Sequence, residues 1–557
     1  MTTTQRNGGA PMTGETFDYV VVGGGSAGSV VAGRLAAAGA EVLVLEAGGT
    51  DRRPDVLVPA ALPVVYRTRN WRYRAEPDPS REGTVEAWPA GRILGGGGSI
   101  NATVFIRGHA ADYDGWAEGG CTGWDHASVL PLFRRMETWE GGADRYRGGD
   151  GPIHVAFQRT PHPGTDAFIA AAGQAGHPQT ADYNGAQPDG VGVVQVNQRR
   201  GVRSHPSRRY LRGLARGRNL TVRTGALAGR IIFEGERAIG VEYRHRSAVH
   251  VARARWEVIL CAGAIESPKL LMLSGVGSAD ELARHGIRPV CDSPGVGANL
   301  QDHAALTQRW HATVPTLNKV RPIDALRAVA DYVIAGRGPL ATTVWQAMLL
   351  HRTDPGLPAP NLQIAFSSFA VVNTIGPDGL QNVAPAKNQG FMVTTVLLHP
   401  RARGRISLRS SSPADPPRID HAMFADADDL AELLAGAAEA RRIMAQPAMT
   451  PLTSGMFEPE ASCRTDGDWE RLARRAATHT AHHSGTCRMG VDDLAVVDPE
   501  LRVRGLAGLR VADASIMPAL PSGNTNAAAI LIGEKASDLL LAGRPADAVI
   551  PKIVEEV

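Results

Sequence analysis

Phe17-Asp18-Tyr19-Val20-Val21-Val22-Gly23-Gly24-Gly25-Ser26-Ala27-Gly28 opens a pattern that continues without a break to Glu46. Its first six residues are rich in β-branched and aromatic side chains and run straight into glycines, which predicts a buried strand ending in a tight turn. From Ser26 to Ala38 the residues are small or helix-tolerant, with Val30, Val31 and Leu35 at helical spacing, and Gly39 stops the helix. A second apolar strand, Val42-Leu43-Val44-Leu45, ends on Glu46. Strand, glycines, helix, strand and terminal acid in this order predict the βαβ unit of a dinucleotide site. Gly23 permits the turn, Gly25 lets backbone approach a pyrophosphate, and Gly28 lets the helix pack closely on the strand. The helix N-terminus offers free amide hydrogens and a positive dipole end to the phosphates. Glu46 sits where a carboxylate accepts hydrogen bonds from ribose hydroxyls. The unit alone does not separate NAD from FAD.

At 557 residues the chain can bury a large core and form two structural regions. Its hydrophobic (43%) and charged (21%) fractions are those of an ordinary globular protein. The net charge is only +3, and basic pairs such as Arg199-Arg200 and Arg208-Arg209 lack interleaved aromatics, so no nucleic-acid partner is expected. Five cysteines (Cys121, Cys261, Cys291, Cys463, Cys487) form no CxxC pair, which predicts neither a disulfide framework nor a metal site. The stretch Met1 to Glu15 is polar and is not read as a signal peptide; Met12 is a second candidate start. No apolar run approaches the ~20 residues of a membrane span, and the expectation is a soluble cytoplasmic protein. Oligomeric state is not encoded legibly.

The cofactor is decided further on. Gly91-Arg92-Ile93-Leu94-Gly95-Gly96-Gly97-Gly98-Ser99-Ile100-Asn101 is a second glycine-dense loop, followed by Ala102-Thr103-Val104-Phe105-Ile106-Arg107-Gly108. Such a loop is useful where backbone must lie against a flat ligand. This block resembles the first signature of the glucose–methanol–choline (GMC) flavoprotein oxidoreductases. The second resembles Gly263-Ala264-Ile265-Glu266-Ser267-Pro268, continuing to Gly277. Further similarities are Asn299-Leu300-Gln301-Asp302-His303, His482-His483-Ser484-Gly485-Thr486-Cys487-Arg488-Met489-Gly490, and Val511-Ala512-Asp513-Ala514 leading to Ser522-Gly523-Asn524-Thr525-Asn526. The resemblance extends from Phe17 to about Leu541 and is nearest to the bacterial choline and alcohol dehydrogenase branch.

The resemblance implies an α/β fold with an α+β substrate region: a Rossmann-like FAD-binding domain carrying an inserted mixed-sheet substrate-binding domain. Residues 17–157, 214–308 and 474–546 would form the FAD-binding domain, and 158–213 with 309–473 the substrate-binding domain. Gly23, Gly25, Ser26, Ala27 and Gly28 would meet the pyrophosphate, and Glu46 and Ala47 the adenosine ribose. Trp71 would lie near the cofactor. Arg92, Leu94, Gly95, Gly96, Ser99, Asn101 and Ala102 would run along the flavin and its ribityl chain. Ala228 and Ala262 are further cofactor contacts, and Asp513, Ala514, Asn524 and Thr525 return to it from the C-terminus. Where some members carry a histidine bonded covalently to the flavin, this chain has Ile100, so FAD is expected to be non-covalent.

Oxidising an alcohol to a carbonyl removes the hydroxyl proton and transfers a hydride to the flavin. Histidine suits the proton step, and the resemblance places His482 there as base, with Asn524 holding the oxygen by hydrogen bonding. His483 is expected to point away from its neighbour's site, His303 to make a structural hydrogen bond, and Cys487 to be inert. Helices are predicted over Asp324 to Ala335 and Ala427 to Ala445, and strands over Asn361 to Phe366 and Phe391 to Leu398. Gln346 is aligned with the glutamate that faces the trimethylammonium group in choline-oxidising relatives. A neutral amide supplies no countercharge, which favours a neutral alcohol. Ala481 is smaller than the aromatic common there and is read with Gln346 and His483 as lining the substrate pocket. Partners would be a small alcohol and an electron acceptor, oxygen, quinone or another. Two other readings remain at this level: a lyase or decarboxylase on the same fold, and an inactive binding flavoprotein.

Overall fold

The computed structural model describes residues 14–212, 219–375, 381–459 and 463–543. Strand Glu15–Val22 pairs in parallel with Val42–Glu46 on one side and with Ala248–Leu260 on the other. Helix Ser26–Ala37 supplies the crossover between the first two strands. Strand Leu220–Thr224 extends the parallel edge beside Val42–Glu46, and Leu509–Val511 pairs with Ala248–Leu260. Strands Arg237–His245 and Ala226–Glu234 complete the seven-stranded sheet in antiparallel fashion. Every residue of Val42–Glu46 is buried, as expected for a parallel strand covered on both faces. Helix Asn526–Ala542 lies along helix Ser26–Ala37 and closes this α/β layer.

A second seven-stranded sheet runs in the order Thr453–Glu458, Ala304–Ala312, Gly390–Leu397, Leu362–Ser367, Ala347–His351, Gly190–Val193, with Thr478–His479 joined to Ala304–Ala312. All its pairings are antiparallel. Helices Pro163–Gln174 and Ala427–Met444 cover one face, where Phe168, Ile364, Phe366, Phe391 and Val393 form a buried cluster. Because side chains alternate along a strand, the intervening residues point to the opposite face, towards the first sheet. The fold is therefore a Rossmann-like domain joined to a sheet-and-helix domain, with the space between them walled by both.

The predicted elements are present with small shifts at their ends: helices Pro322–Ala335 and Ala427–Met444, strands Leu362–Ser367 and Gly390–Leu397. Strand pairing and helix packing cut across the expected domain division at several places. A division at 308/309 falls inside strand Ala304–Ala312, whose alternating pattern begins before it, and Thr478–His479 belongs to the second sheet although it lies beyond 473. Conversely, Gln195–Val196 pairs with Ile153–Phe157, and Ser207–Leu211 packs on helix Ser26–Ala37. Within 158–213 the second sheet and its helices take only 163–174 and 190–193. Residues 213–218 and 544–546 of the expected bounds lie outside the described residues.

Glu534, fully buried in helix Asn526–Ala542, binds the elements of the first domain together. Its carboxylate accepts from Arg34 Nη2 at 2.8 Å, Arg135 Nε at 2.9 Å and Tyr210 Oη at 2.6 Å. Removing one member of a buried ion-paired network strands the others without partners. Glu534→Ala is expected to cost about 3 kcal/mol or more, read as a lower midpoint in thermal or urea unfolding. An unchanged midpoint would mean that apolar packing alone holds these helices.

Candidate active site

Between the two sheets lies one continuous cavity of about 460 Å³. At one end it is bordered by the first turns of three helices: Ser26 and Ala27, Gly263 to Glu266, and Asn526 with Ala529. Helix N-termini carry free N–H groups and a partial positive charge, so their convergence makes a binding place for an anion such as a diphosphate. Ser26 Oγ donates to Asn526 Oδ1 at 2.8 Å and locks two of these termini together. Glycine is required at Gly28, where a Cβ would stand 2.0 Å from the Gly23 carbonyl oxygen. The two glycine loops also brace each other: Gly95 N donates to Gly24 O at 2.7 Å, and a Cβ on Gly96 would meet Gly25 Cα at 2.9 Å.

Of the residues assigned to the cofactor, Gly23, Gly25, Ser26, Ala27, Glu46, Ala47, Trp71, Gly96, Asn101, Ala102, Ala228, Ala262, Asp513, Ala514, Asn524 and Thr525 border this cavity. Gly28, Arg92, Leu94, Gly95 and Ser99 stand behind its wall. Leu94 packs under Gly24, Ser99 Oγ donates to Leu94 O at 2.7 Å, and the Arg92 guanidinium lies 4.5 Å over the Trp71 ring. Glu46 is buried and accepts from Gly24 N (3.0 Å) and Gly48 N (2.6 Å), leaving lone pairs for ribose hydroxyls. Burial raises its pKa, against the pull of these two amides. Asp513 accepts from Gly263 N at 2.9 Å, Ser267 Oγ at 2.6 Å and Ser515 N at 2.8 Å, tying the C-terminal segment to helix Gly263–Leu273. The donor set fits FAD: helix N-termini for the diphosphate, a buried acid for the ribose, and a long apolar slot beyond.

His482 and Asn524 meet where the slot reaches the second sheet. Asn524 Nδ2 is 3.0 Å from His482 Nε2, and on the other side His482 Nδ1 is 2.7 Å from Thr480 Oγ1 and 2.9 Å from His303 Nδ1. Asp302 anchors this loop from beneath: its Oδ1 accepts from His482 N at 3.0 Å and from Thr480 N and Oγ1 at 3.2 Å. Ala481, between them, has a left-handed backbone (φ +60°) and its N–H donates to His479 Nδ1 at 3.0 Å. Burial pushes the His482 imidazole down to about 4, with the Asp302 charge opposing and His479 reinforcing. His303 is driven well down by burial and by His482.

His483 borders the cavity but is stacked on Trp88, ring centres 4.5 Å apart, with its Nε2 3.4 Å from Asp302 Oδ2. His479 stands 3.5 Å from the same oxygen and donates from Nε2 to Ala87 O at 2.8 Å. Three possible ligand atoms thus lie within 4.8 Å of one another, Asp302 with His479 and His483, and His479 Nδ1 also lies 3.0 Å from Ala481 N. Burial opposes charge on His479, yet the Asp302 contact with the Glu86 and Asp302 charges raises its pKa. Burial lowers His483 to about 3 and His421, which meets Trp88 edge-on, to about 4. Asp302 itself is held well below the usual carboxylate range, its burial outweighed by His479, His483 and His482.

Gln346 does not line the cavity. Its amide is buried, donating to Thr343 O at 2.8 Å and accepting from Ser368 N at 2.6 Å, and Val344 and Trp345 line the cavity instead. Gln346 ends an irregular segment before strand Ala347–His351, where the Thr343 carbonyl and the Ser368 N–H hold its amide away from the cavity. The substrate end is walled by alternate residues of the second sheet: Ala305, Thr307 and Arg309; Gln363 and Ala365; Met392, Thr394 and Val396. Asp302 stands in the Asn299–His303 motif without an expected role, and Thr480, Trp88 and Arg309 were not expected at the site; period-two alternation through 304–312 points to Arg309.

Fold and site together define an oxidoreductase of the dinucleotide-binding flavoprotein class. The chain belongs to the GMC oxidoreductase family, whose N- and C-terminal family models match residues 17–305 and 400–533; it is an FAD-dependent enzyme acting on CH–OH donors. It is 39% identical over 546 residues to the mitochondrial choline dehydrogenase of Homo sapiens, covering 96% of this chain and 91% of that one. It is likewise 39% identical over 535 residues to an oxygen-dependent choline dehydrogenase of Brucella ovis, covering 95% and 96%. Pyridoxine 4-oxidase from Mesorbium loti superposes with a TM-score of 0.86 at 30% identity, over 95% of this chain and 100% of that one.

Histidines kept neutral by burial take up protons more readily when unfolded. Their folded pKa values lie below about 6.5, so they destabilise the fold as pH falls through 6.5 towards 4. His479, with a raised pKa, opposes this in part. With His303, His421, His482 and His483 lowered and His479 raised, stability should fall on acidification by about 1 kcal/mol per pH unit for each net group. Melting temperature from pH 7 to 5 measures it. His483→Phe, which removes one titrating group, should flatten the slope, and an identical slope would refute this account.

Proposed function

We propose that this enzyme oxidises a primary or otherwise neutral alcohol to a carbonyl, with His482 as base, Asn524 as hydrogen-bonding partner and FAD held non-covalently. The observation that carries this reading is the 3.0 Å contact of His482 Nε2 with Asn524 Nδ2 at the junction of cofactor slot and substrate end. When bound, FAD supplies the hydride acceptor. With Asn524 Nδ2 donating to Nε2, the neutral tautomer of His482 carries its proton on Nδ1, where Thr480 Oγ1 or His303 Nδ1 accepts it. The alcohol displaces the Asn524 amide from Nε2, whose freed lone pair takes the alcohol proton, while the Asn524 N–H donates instead to the oxygen it leaves. Asp302 acts at a distance, fixing the loop that aims the imidazole.

The sheet wall of the substrate end offers no carboxylate among its described residues; its ionisable group is Arg309, paired with Glu458 at 2.8 Å. A cation finds no countercharge there, which supports a neutral substrate in place of choline. Ile100, buried in helix Gly97–Ile100, has no nucleophile, so acid precipitation should release the flavin. The acceptor is oxygen or another small oxidant such as a quinone.

His482→Ala should slow anaerobic flavin bleaching by about 10²-fold or more while FAD stays bound. Bleaching at the wild-type rate would remove His482 from the role of base. Since a base works above its pKa and His482 is lowered to about 4, the wild-type bleaching rate should be level from neutral pH upwards and decline only in acid. A midpoint near the ordinary histidine value, or choline turned over faster than neutral alcohols, would overturn the corresponding part of the reading.

A further inference from the structure

Helix Pro322–Ala335 has its apolar side facing outwards. Successive residues are about 100° apart on a helix, which places Ile323, Leu326, Val329, Ala330, Val333 and Ile334 on one continuous stripe. All six are exposed, Leu326 by 69%, Val333 by 76% and Ile334 by 85%, whereas the buried residue of the helix is Ala328. A helix on a globular domain ordinarily turns its apolar stripe to the core. Here the inner side is Ala328 with half-buried Tyr332 and Asp324, and Val320, 48% exposed, extends the bare surface before the first turn.

Charge is arranged around this stripe. Lys319 and Arg321 precede the helix, Arg327 flanks it and Arg337 follows it, all exposed, against the two carboxylates Asp324 and Asp331. The ion pairs Arg321–Asp324 (2.6 Å) and Arg337–Asp331 (3.9 Å) leave Lys319 and Arg327, the latter only 3.8 Å from the shared Asp324, to give the segment a positive excess. The turn Pro339–Ala341 that follows packs on Pro59–Ala61, and the next residues, Val344 and Trp345, line the substrate end of the cavity.

We propose that the outward stripe of helix Pro322–Ala335 is a membrane-docking surface that seats the enzyme on an anionic phospholipid bilayer beside the substrate end of its cavity. The stripe exposes on the order of 500 Å², as large as the biggest patches soluble monomers leave bare. A stable dimer needs about 800 Å² from each partner, with a shape to match, and a single convex helix offers less. A bilayer needs no matching shape: apolar side chains enter the acyl boundary while flanking cations meet the headgroups. No helix among the described residues is long and apolar enough to cross a membrane, so attachment would be peripheral.

Flotation of the FAD-loaded enzyme with vesicles tests this without reference to alcohol turnover, so it stands or falls separately from the proposed reaction. The enzyme should float with phosphatidylcholine vesicles containing about 30% phosphatidylglycerol, and less with phosphatidylcholine alone. Leu326→Glu combined with Val333→Glu should reduce the floating fraction about tenfold at unchanged flavin content and circular dichroism. Lys319→Glu with Arg337→Glu should abolish the preference for anionic lipid. Wild-type enzyme left at the bottom of the gradient, or a Leu326→Glu/Val333→Glu variant that floats as well as wild type, would overturn the proposal. So would a wild-type dimer that this variant splits in analytical ultracentrifugation while neither binds vesicles.

Discussion

Three helix N-termini directed at one cavity repel one another through their dipoles, and the enzyme holds them there by packing. The first and last helices are separated by some 500 residues in the chain, yet Ser26 is hydrogen-bonded to Asn526 and Arg34 to Glu534. Gly533 permits the contact: a Cβ there would lie 2.7 Å from the Ala27 carbonyl oxygen. Each N-terminus behaves as roughly half a positive charge, so their sum favours a multiply charged anion such as the FAD diphosphate. The same packing carries Asn524 and Thr525, at the start of the last helix, to the junction of cofactor slot and substrate end.

The second centre is the carboxylate of Asp302. One of its oxygens holds the backbone and hydroxyl groups of the Thr480–His482 loop, and the other faces His479 and His483. A buried carboxylate is costly without partners, and here the compensation also sets the geometry of the imidazole beside Asn524. Trp88 fills the space behind, with His483 stacked on its face and His421 at its edge. His482 therefore sits between a rigid charged base and an open slot. Its burial keeps it neutral, the state in which a histidine can accept a proton.

The wall of the substrate end is made of alternate residues from three strands, mostly small or apolar, with Arg309 as the ionisable member. Helix Pro322–Ala335 lies just before the segment that carries Val344 and Trp345 into that wall, so the bare apolar surface and the substrate end share one stretch of chain.

Local order along the chain was enough to read the βαβ unit and both glycine loops, while the further residues expected along the cofactor slot came from the family resemblance. Those features depend on short-range steric rules: strands need β-branched residues, tight turns need glycine, and helix starts need small residues. Period-two and period-3.6 patterns also located the substrate-domain strands and helices to within a few residues. Which neighbour faces the pocket is decided by local contacts in an irregular segment: Val344 and Trp345 border the cavity, while Thr343 and Ser368 hold the Gln346 amide. The Asp302–His479–His483–Trp88 cluster joins segments hundreds of residues apart, and although Asp302 and His483 stand in quoted motifs, nothing local shows that they meet. Strand pairing at 195–196, 304–308 and 478–479 and the packing of 207–211 likewise join segments far apart in the chain. The chain alone thus determined what cofactor site it builds; the tertiary structure decided which side chains surround the reacting group, because burial and pairing exist only once distant segments meet.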